Sequence, residues 1–279
     1  MPVKTVRGVA YHYRWLHQTD PKQPTVICLH GFTGSTQTFM FENPQFNYLA
    51  IDLIGHGKTA VYLHPYRYQL SSLVADLASL VSLLEIPSFY VLGYYSMGAR
   101  VALAWALERP QGIKGLILEG GTAGIADEQQ RNHRKKADRK LALRLLKEPL
   151  SDFVDDWEKL PLFASQQALS LEQKSRVRNE RLAQNKLGLA LSLYYMGTGA
   201  QKNYWPDLAS IECPLLYLVG QKDEKFQKIG KQMTNIKEIF RCQILTECGH
   251  CCHIEQPRLF ETTVTTWISE MEREWTPSK

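Results

Sequence analysis

The sequence has no unbroken apolar run near the roughly 18–20 residues that a membrane helix needs. Its opening stretch, MPVKTVRGVAYHYRW, carries basic residues with no apolar segment behind them, so a secretory leader is not expected. Without export, the six cysteines are expected as reduced thiols and the protein is expected in the cytoplasm. Internal repeats and low-complexity tracts are lacking as well. Charge of one sign is scarce, since 33 basic and 28 acidic residues leave a net +5. That is too mild to point to nucleic acid, and it becomes informative only where the charges cluster. Hydrophobic residues make up 44% of the 279, which can bury a sizeable core and excludes disorder. The length suits one large domain or a core with an insertion.

What is present is an alternation of short apolar runs with helical stretches. Thr25–Leu29, Tyr48–Leu53, Phe89–Gly93, Gly115–Leu118, Leu215–Val219 and Cys242–Leu245 read as strands. Leu70, Leu73, Val74, Leu77, Leu80, Val81 and Leu84 fall on one helical stripe, ended by Pro87. Val101–Leu107 continues as a helix. Leu259, Phe260, Val264, Trp267, Ile268 and Met271 predict a closing amphipathic helix. Strands alternating with helices predict an α/β fold, a mostly parallel sheet covered on both faces. Residues 122–210 break the rhythm. They are polar and helical, hold no obvious strand, and open on Arg131, Arg134, Lys135, Lys136, Arg139 and Lys140. The expected organisation is a core of residues 1–121 and 211–279 with a helical lid, 122–210, over the C-terminal ends of the strands, where ligands of open α/β sheets bind.

Four loops after predicted strands carry chemistry. His30-Gly31-Phe32 follows the first, and Phe32 is a candidate to offer its N–H to an oxyanion hole. Gly93-Tyr94-Tyr95-Ser96-Met97-Gly98 resembles the nucleophile elbow, a tight strand-to-helix turn that thrusts its serine forward, with the Met97 N–H as second oxyanion donor. Tyr94 stands two places before Ser96, where the motif has a small residue. The cheapest accommodation is a bulge near Gly93–Tyr95, with Gly93 absorbing the change of direction and Tyr94 or Tyr95 facing the pocket. Asp223 follows LLYLVG, and His250 follows CQILTEC. The order Ser…Asp…His is the order of the α/β-hydrolase fold. His250 can take a proton from Ser96, and Asp223 can fix its tautomer. Asp52-Leu53-Ile54-Gly55-His56-Gly57 adds a turn common after the second strand of that fold. Cys248, His250, Cys251, Cys252 and His253 also carry a zinc-like spacing, but no second ligand pair is evident. No metal and no cofactor are expected.

Other motifs are more discriminating. They are Ser96-Met97-Gly98-Ala99-Arg100, Ile117-Leu118-Glu119-Gly120-Gly121, Asp156–Phe163 (DWEKLPLF), Gly197-Thr198-Gly199, Gly220–Phe226 (GQKDEKF) and the CGHCCHIE stretch. With these, the chain resembles the 2-succinyl-6-hydroxy-2,4-cyclohexadiene-1-carboxylate synthase family (MenH type) of menaquinone and phylloquinone biosynthesis, from about Thr25 to the last helix. The resemblance implies a lyase that expels pyruvate from an enolpyruvyl cyclohexene carboxylate, with Ser96, His250 and Asp223 as the base. It implies substrate contacts at Tyr95, Arg100, Arg134, Trp157 and Arg178, because bidentate cations suit a polycarboxylate. For Arg134 and Arg178, charge alone favours a solvated helix face, and it is their motif position that favours substrate contact. The implied partner is that small molecule, with no nucleic acid and no membrane insertion. Two alternatives remain: a serine hydrolase of esters or C–C bonds with Ser96 as covalent nucleophile, and a non-catalytic binding protein.

Overall fold

The computed structural model describes residues 2–18, 20–42 and 44–275. Eight strands form one sheet: β1 (Val3–Val6), β2 (Val9–His17), β3 (Thr25–Leu29), β4 (Asn47–Ile51), β5 (Phe89–Gly93), β6 (Ile113–Glu119), β7 (Leu215–Gly220) and β8 (Phe240–Leu245). Their spatial order is β1-β2-β4-β3-β5-β6-β7-β8. Every pair from β4 to β8 is parallel, and only β1–β2 and β2–β4 are antiparallel. The β1–β2 hairpin was not expected from the sequence. Its two-residue loop is Arg7-Gly8, with φ of 47° and 81°. Two successive left-handed residues make the turn whose twist matches a hairpin.

Residues along the parallel strands alternate between two apolar layers. Ile27, Leu29, Val91, Leu215, Tyr217 and Val219 join one core, while Val26, Cys28, Tyr90, Leu92, Leu216 and Leu218 join the other. Both faces are therefore dry, which is why these strands read as unbroken apolar runs. Helices α1 (Leu70–Leu83) and α2 (Met97–Glu108) cover the first face, with Phe226 and Met233 of α7 (Glu224–Thr234). After the short α8 (Cys252–Glu255), α9 (Pro257–Trp275) covers the second through Phe260, Val264, Trp267, Ile268 and Met271. Leu259, expected on that stripe, is exposed.

Between β6 and β7 the described residues hold helices and turns only: α3 (Glu128–Lys147), α4 (Leu150–Glu158), α5 (Leu171–Leu182), α6 (Lys186–Met196) and 3-10 turns at Pro161–Ala168 and Trp205–Ser210. Partly buried polar bonds tie them to the strand-end loops. The hydroxyls of Ser35 and Thr38 donate to Glu180 Oε1 at 2.6 and 2.7 Å, and the Gly57 N–H donates to Gln184 Oε1 at 2.9 Å. No helix among the described residues is long and apolar enough to cross a membrane.

Two buried histidines hold the loops after β3 and β4. His30 Nε2 accepts the Leu53 N–H at 2.9 Å, so its proton sits on Nδ1, 2.8 Å from Gly31 O. His56 packs on it at 5.0 Å. Burial, and then the neighbouring His30, push the His56 imidazole from 6.5 down to about 3. Between those values the unfolded chain binds a proton that the folded chain refuses, so stability falls as pH drops through that window. Denaturant unfolding at pH 5 should show His56 costing about 2 kcal/mol relative to pH 7. His56→Phe should flatten that part of the slope, and an unchanged slope would remove His56 as its cause.

The expected bulge does not lie at Gly93. After a register shift against β6 between Phe89 and Tyr90, pairing is regular from Tyr90 to Gly93, which lies opposite Leu29 and Leu118, and the Tyr94 N–H donates to Leu29 O at 2.8 Å. The irregularity comes later. The Ser96 N–H donates to Glu119 O, while the Tyr95 N–H is taken by the Glu119 carboxylate, each at 3.1 Å. Gly93 faces α2, where a Cβ would lie 2.5 Å from Gly98 O and 2.6 Å from Ala99 Cα. Tyr94 faces the opposite layer, 4.4 Å from the ring of Phe39, 4.3 Å from His253 and 5.2 Å from Phe260. It crowds nothing at the turn and does not face the pocket. Tyr94→Phe should be tolerated, while Tyr94→Ala should cost about 3 kcal/mol or more through the cavity it leaves. Gly93→Ala should cost about 2 kcal/mol or more, because only backbone can move out of the way. Thermal melts of the three variants check the order.

Candidate active site

Ser96 sits where β5 gives way to α2, with φ 54° and ψ −84°. A non-glycine residue held there stores roughly 1–3 kcal/mol of strain, sustained only where the surroundings leave no alternative. Here Gly98 supplies the constraint, since a Cβ on it would lie 2.2 Å from Leu29 O. The turn delivers Ser96 to a cavity of about 70 Å³ lined also by Phe32, Tyr95, Met97, Arg100, Arg134, Trp157 and His250. Seven of the sequence-identified residues thus meet Ser96 in one place. Leu162, Phe163, Ser192, Leu193, Met196 and Thr198 complete the wall from the α4–α6 region. Leu162, Phe163 and Thr198 fall in motifs the sequence had singled out, whereas Ser192, Leu193 and Met196 are brought here only by the way the insertion folds back.

His250 Nδ1 lies 2.6 Å from Asp223 Oδ2, with both residues buried. An ionised carboxylate only accepts, so the proton sits on Nδ1 and Nε2 is left with its lone pair. That Nε2 is buried and has no hydrogen-bond partner among the described residues. Asp223 caps α7, its Oδ1 accepting the Phe226 N–H at 3.3 Å. The Phe226 ring packs 4.5 Å from His250. Gly120, at φ 54°, lets the β6 loop run against the imidazole, where a Cβ would lie 2.9 Å from Cε1.

Arg100 is 5% exposed and, among the described residues, has no carboxylate partner. Its Nη1 donates to Met196 O at 2.9 Å and to Gln201 Oε1 at 3.3 Å, and its Nε is unpaired. Burial, and then the charge of Arg134, push its guanidinium from 12.5 down to about 10. It remains a cation at neutral pH. Arg134 pairs with Asp138 at 2.7 Å and keeps 44% of its side chain exposed. Trp157 stacks on Phe153 and meets Phe32 edge-on, and its Nε1 is also buried without a partner. Tyr95 donates its hydroxyl to Phe32 O at 2.9 Å.

Arg178 does not line this cavity. It is ion-paired to Asp155 at 2.6 Å and Glu158 at 2.8 Å, at a separate cavity of about 340 Å³ that shares Phe163. Helix α5 carries it past α4, whose carboxylates reach it first. Of the cysteine–histidine cluster, His250 and His253 are each committed at Nδ1 to a carboxylate, Asp223 and Glu119. Burial pushes the thiols of Cys251 and Cys252 up, for Cys252 through Cys248 first. The functional reading of the sequence missed Glu119, which receives N–H groups from the elbow and from the His253 loop. The Ile117–Gly121 motif contains it, but nothing in that motif assigned the carboxylate a role.

Comparison with known proteins agrees with this geometry. A family model described as the alpha/beta hydrolase fold matches residues 24–257. A putative 2-succinyl-6-hydroxy-2,4-cyclohexadiene-1-carboxylate synthase from Bacillus subtilis is 39% identical over 88% of this chain and 90% of its own. A protein of that name without the qualifier, from Salmonella agona, is 32% identical over 85% and 91%. The structure of MenH from S. aureus superposes with a TM-score of 0.87 at 32% identity, covering 94% of this chain and 99% of that one. An enol-lactonase from Burkholderia xenovorans, at 21% identity and a TM-score of 0.81, shares the fold. The chain belongs to the α/β-hydrolase fold family and, within it, to the family of 2-succinyl-6-hydroxy-2,4-cyclohexadiene-1-carboxylate synthases.

Proposed function

We propose that this protein eliminates pyruvate from 2-succinyl-5-enolpyruvyl-6-hydroxy-3-cyclohexene-1-carboxylate, giving 2-succinyl-6-hydroxy-2,4-cyclohexadiene-1-carboxylate. The observation that carries the reading is Arg100, a buried guanidinium with an unpaired Nε and no carboxylate of its own, in the cavity that Ser96 lines. A buried charge left so is costly unless an anion completes it. Arg134, itself paired with Asp138, adds a second cation beside it and lowers the ionisation of Arg100 further. A substrate bearing carboxylates meets that need, whereas a simple ester does not.

In this reading Ser96 Oγ takes a proton from the ring carbon beside the succinyl ketone and passes its own to His250 Nε2. Asp223 stabilises the imidazolium that forms. The electron pair of the broken C–H bond moves onto the ketone oxygen, where the N–H groups of Phe32 and Met97 serve as donors. Collapse of that enolate forms a double bond from the deprotonated carbon, shifts the existing ring double bond by one position and thereby breaks the C–O bond to the enolpyruvyl group, which leaves as the enolate of pyruvate and is protonated on carbon to pyruvate. Tyr95 positions the Phe32 loop, and Trp157 offers its N–H to the substrate.

Residues 122–210 act as a lid over the 1–121 and 211–279 core. The cavity of about 70 Å³ admits a few waters at most. Entry of the substrate therefore requires α3–α6 to shift. Arg178 joins the binding set only if Asp155 and Glu158 release it. The reaction belongs in the cytoplasm, since a polyanionic substrate does not cross a membrane unaided.

Pyruvate release from the enolpyruvyl substrate, beside a panel of simple esters, tests the reading. Ser96→Ala, His250→Ala and Asp223→Asn should each lose roughly 10³-fold or more in kcat while folding normally. Near-normal turnover in Ser96→Ala would rule Ser96 out as the base. A covalent adduct on Ser96 accumulating with this substrate, seen by mass spectrometry, would instead favour the serine hydrolase.

The cations give a separate test. Arg100→Gln and Arg134→Ala should each lower kcat/KM roughly 10- to 100-fold, the worth of a charged hydrogen bond. Arg178→Ala should do less. Added salt should weaken the wild-type enzyme in the same direction. Unchanged kinetics in the first two variants would leave the cavity without its anion site.

A further inference from the structure

The geometry points to Glu119 and His253 as a positioning pair that holds the Ser96 elbow and the His250 loop in mutual register for turnover. The inference rests on the role assigned above to Ser96 and His250. Glu119 ends β6, directly behind the elbow, and is fully buried. Its backbone carbonyl accepts the Ser96 N–H at 3.1 Å, and its Oε2 accepts the Tyr95 N–H at 3.1 Å. Its Oε1 accepts the His253 N–H at 3.1 Å, three residues after His250. His253 Nδ1 lies 2.7 Å from Oε2 and 2.9 Å from Oε1. One side chain thus receives N–H groups from both loops that must bring nucleophile and base together.

The imidazole extends the arrangement. The His253 ring lies 15° from parallel to Tyr95 at 5.3 Å, and Tyr94 packs against it at 4.3 Å. Tyr95 in turn donates to Phe32 O, so the oxyanion loop joins the same assembly. Neither Glu119 nor His253 lines the Ser96 cavity. They act through Tyr95, Ser96 and the His250 loop, as outer-shell partners orient the groups that touch substrate.

The pair makes a chemical demand that packing alone does not. Two backbone N–H groups, of Tyr95 and His253, point at different oxygens of one carboxylate, and neither can be reoriented. Glutamine has the same shape but one acceptor and one donor. Whichever way it is turned, one backbone N–H faces another N–H. Glu119→Gln keeps the volume and breaks one anchor, whereas a residue serving only as filler would tolerate it. His253→Phe keeps a ring between Tyr94 and Tyr95 and removes the Nδ1 bond.

Three measurements on purified full-length variants, checked for wild-type circular dichroism, decide the matter. Steady-state pyruvate release should show kcat reduced roughly 10- to 100-fold with KM within about twofold, the range for lost outer-shell partners. The labelling rate of Ser96 by a fluorophosphonate, which needs no substrate recognition, should fall in parallel. Wild-type kcat and labelling in a folded Glu119→Gln protein would overturn the proposal. If Glu119→Gln does not fold, His253→Phe decides: reduced kcat at constant KM supports the proposal, and wild-type kcat ends it. If the wild type labels at Ser96 but releases no pyruvate, the proposed reaction has failed on its own. The relative labelling rates of the two variants then decide the positioning role.

Discussion

Everything at the reactive end of the sheet depends on three backbones meeting with no side chain between them. Gly98 at the start of α2 lies against the Leu29 carbonyl of β3, and Gly93 of β5 lies against Gly98 and Ala99. The helix therefore starts hard against the strand it has just left. Ser96 cannot continue either element, and its positive φ is the consequence. The strain is offset by the packing of this helix and the two strands around it, whose apolar residues are almost wholly buried. The same closeness brings Met97, at the positive end of α2, to the cavity wall with Ser96. Turn geometry, nucleophile exposure and anion preference thus share one steric origin.

Charge is distributed as unevenly as strain. Helix α3 carries eight basic and two acidic side chains, against 33 and 28 in the whole chain. The remaining residues hold 25 basic and 26 acidic side chains, close to balance. The small overall excess of positive charge is thus a property of one helix, and that helix brings Arg134 to the cavity. Asp138 meets Arg134 and the Gly199 N–H together, so part of this charge is spent on structure. Arg100, by contrast, forms no ion pair among the described residues, its Nη1 meeting only Met196 O and Gln201 Oε1. Its depressed ionisation follows from burial first and from Arg134 second, and both causes are relieved by an anion in the cavity.

Much of this was legible in the sequence because it is local. A run of apolar residues buried on both faces is a parallel strand, and a stripe at helical spacing is α1 or α9. A polar residue just past a strand end lies at the mouth of the sheet. Ser96, Asp223 and His250 are of that kind, and Phe32 offers its backbone N–H from the same position. The β1–β2 hairpin was not legible, because its turn places Arg7, a non-glycine residue, at positive φ. The ion pairs of Arg178 were not legible for another reason. Position on a helix says nothing about which carboxylates of the neighbouring helix arrive first, and Asp155 and Glu158 do. Glu119 and His253 lie 134 residues apart, and no pattern within either segment announces their pairing.

Tyr94 shows most plainly what a motif encodes. The requirement at the elbow is close approach of strand and helix, and a small residue two places before the serine is one way to satisfy it. Here Gly93, three places before, meets α2 instead, and the chain must absorb one further residue before Ser96. It does so where the ladder hands over. The Tyr94 N–H faces β3, so the Tyr95 N–H faces β6, yet it is the Ser96 N–H that reaches the Glu119 carbonyl. The Tyr95 N–H would be orphaned in a dry interior, and a buried unpaired N–H costs as much as a lost hydrogen bond. The Glu119 carboxylate receives it. The departure at Tyr94 and the buried acid at the end of β6 are thus two halves of one arrangement. A chain with a glycine in place of Tyr94 and one residue fewer would not need a side-chain acceptor at that point.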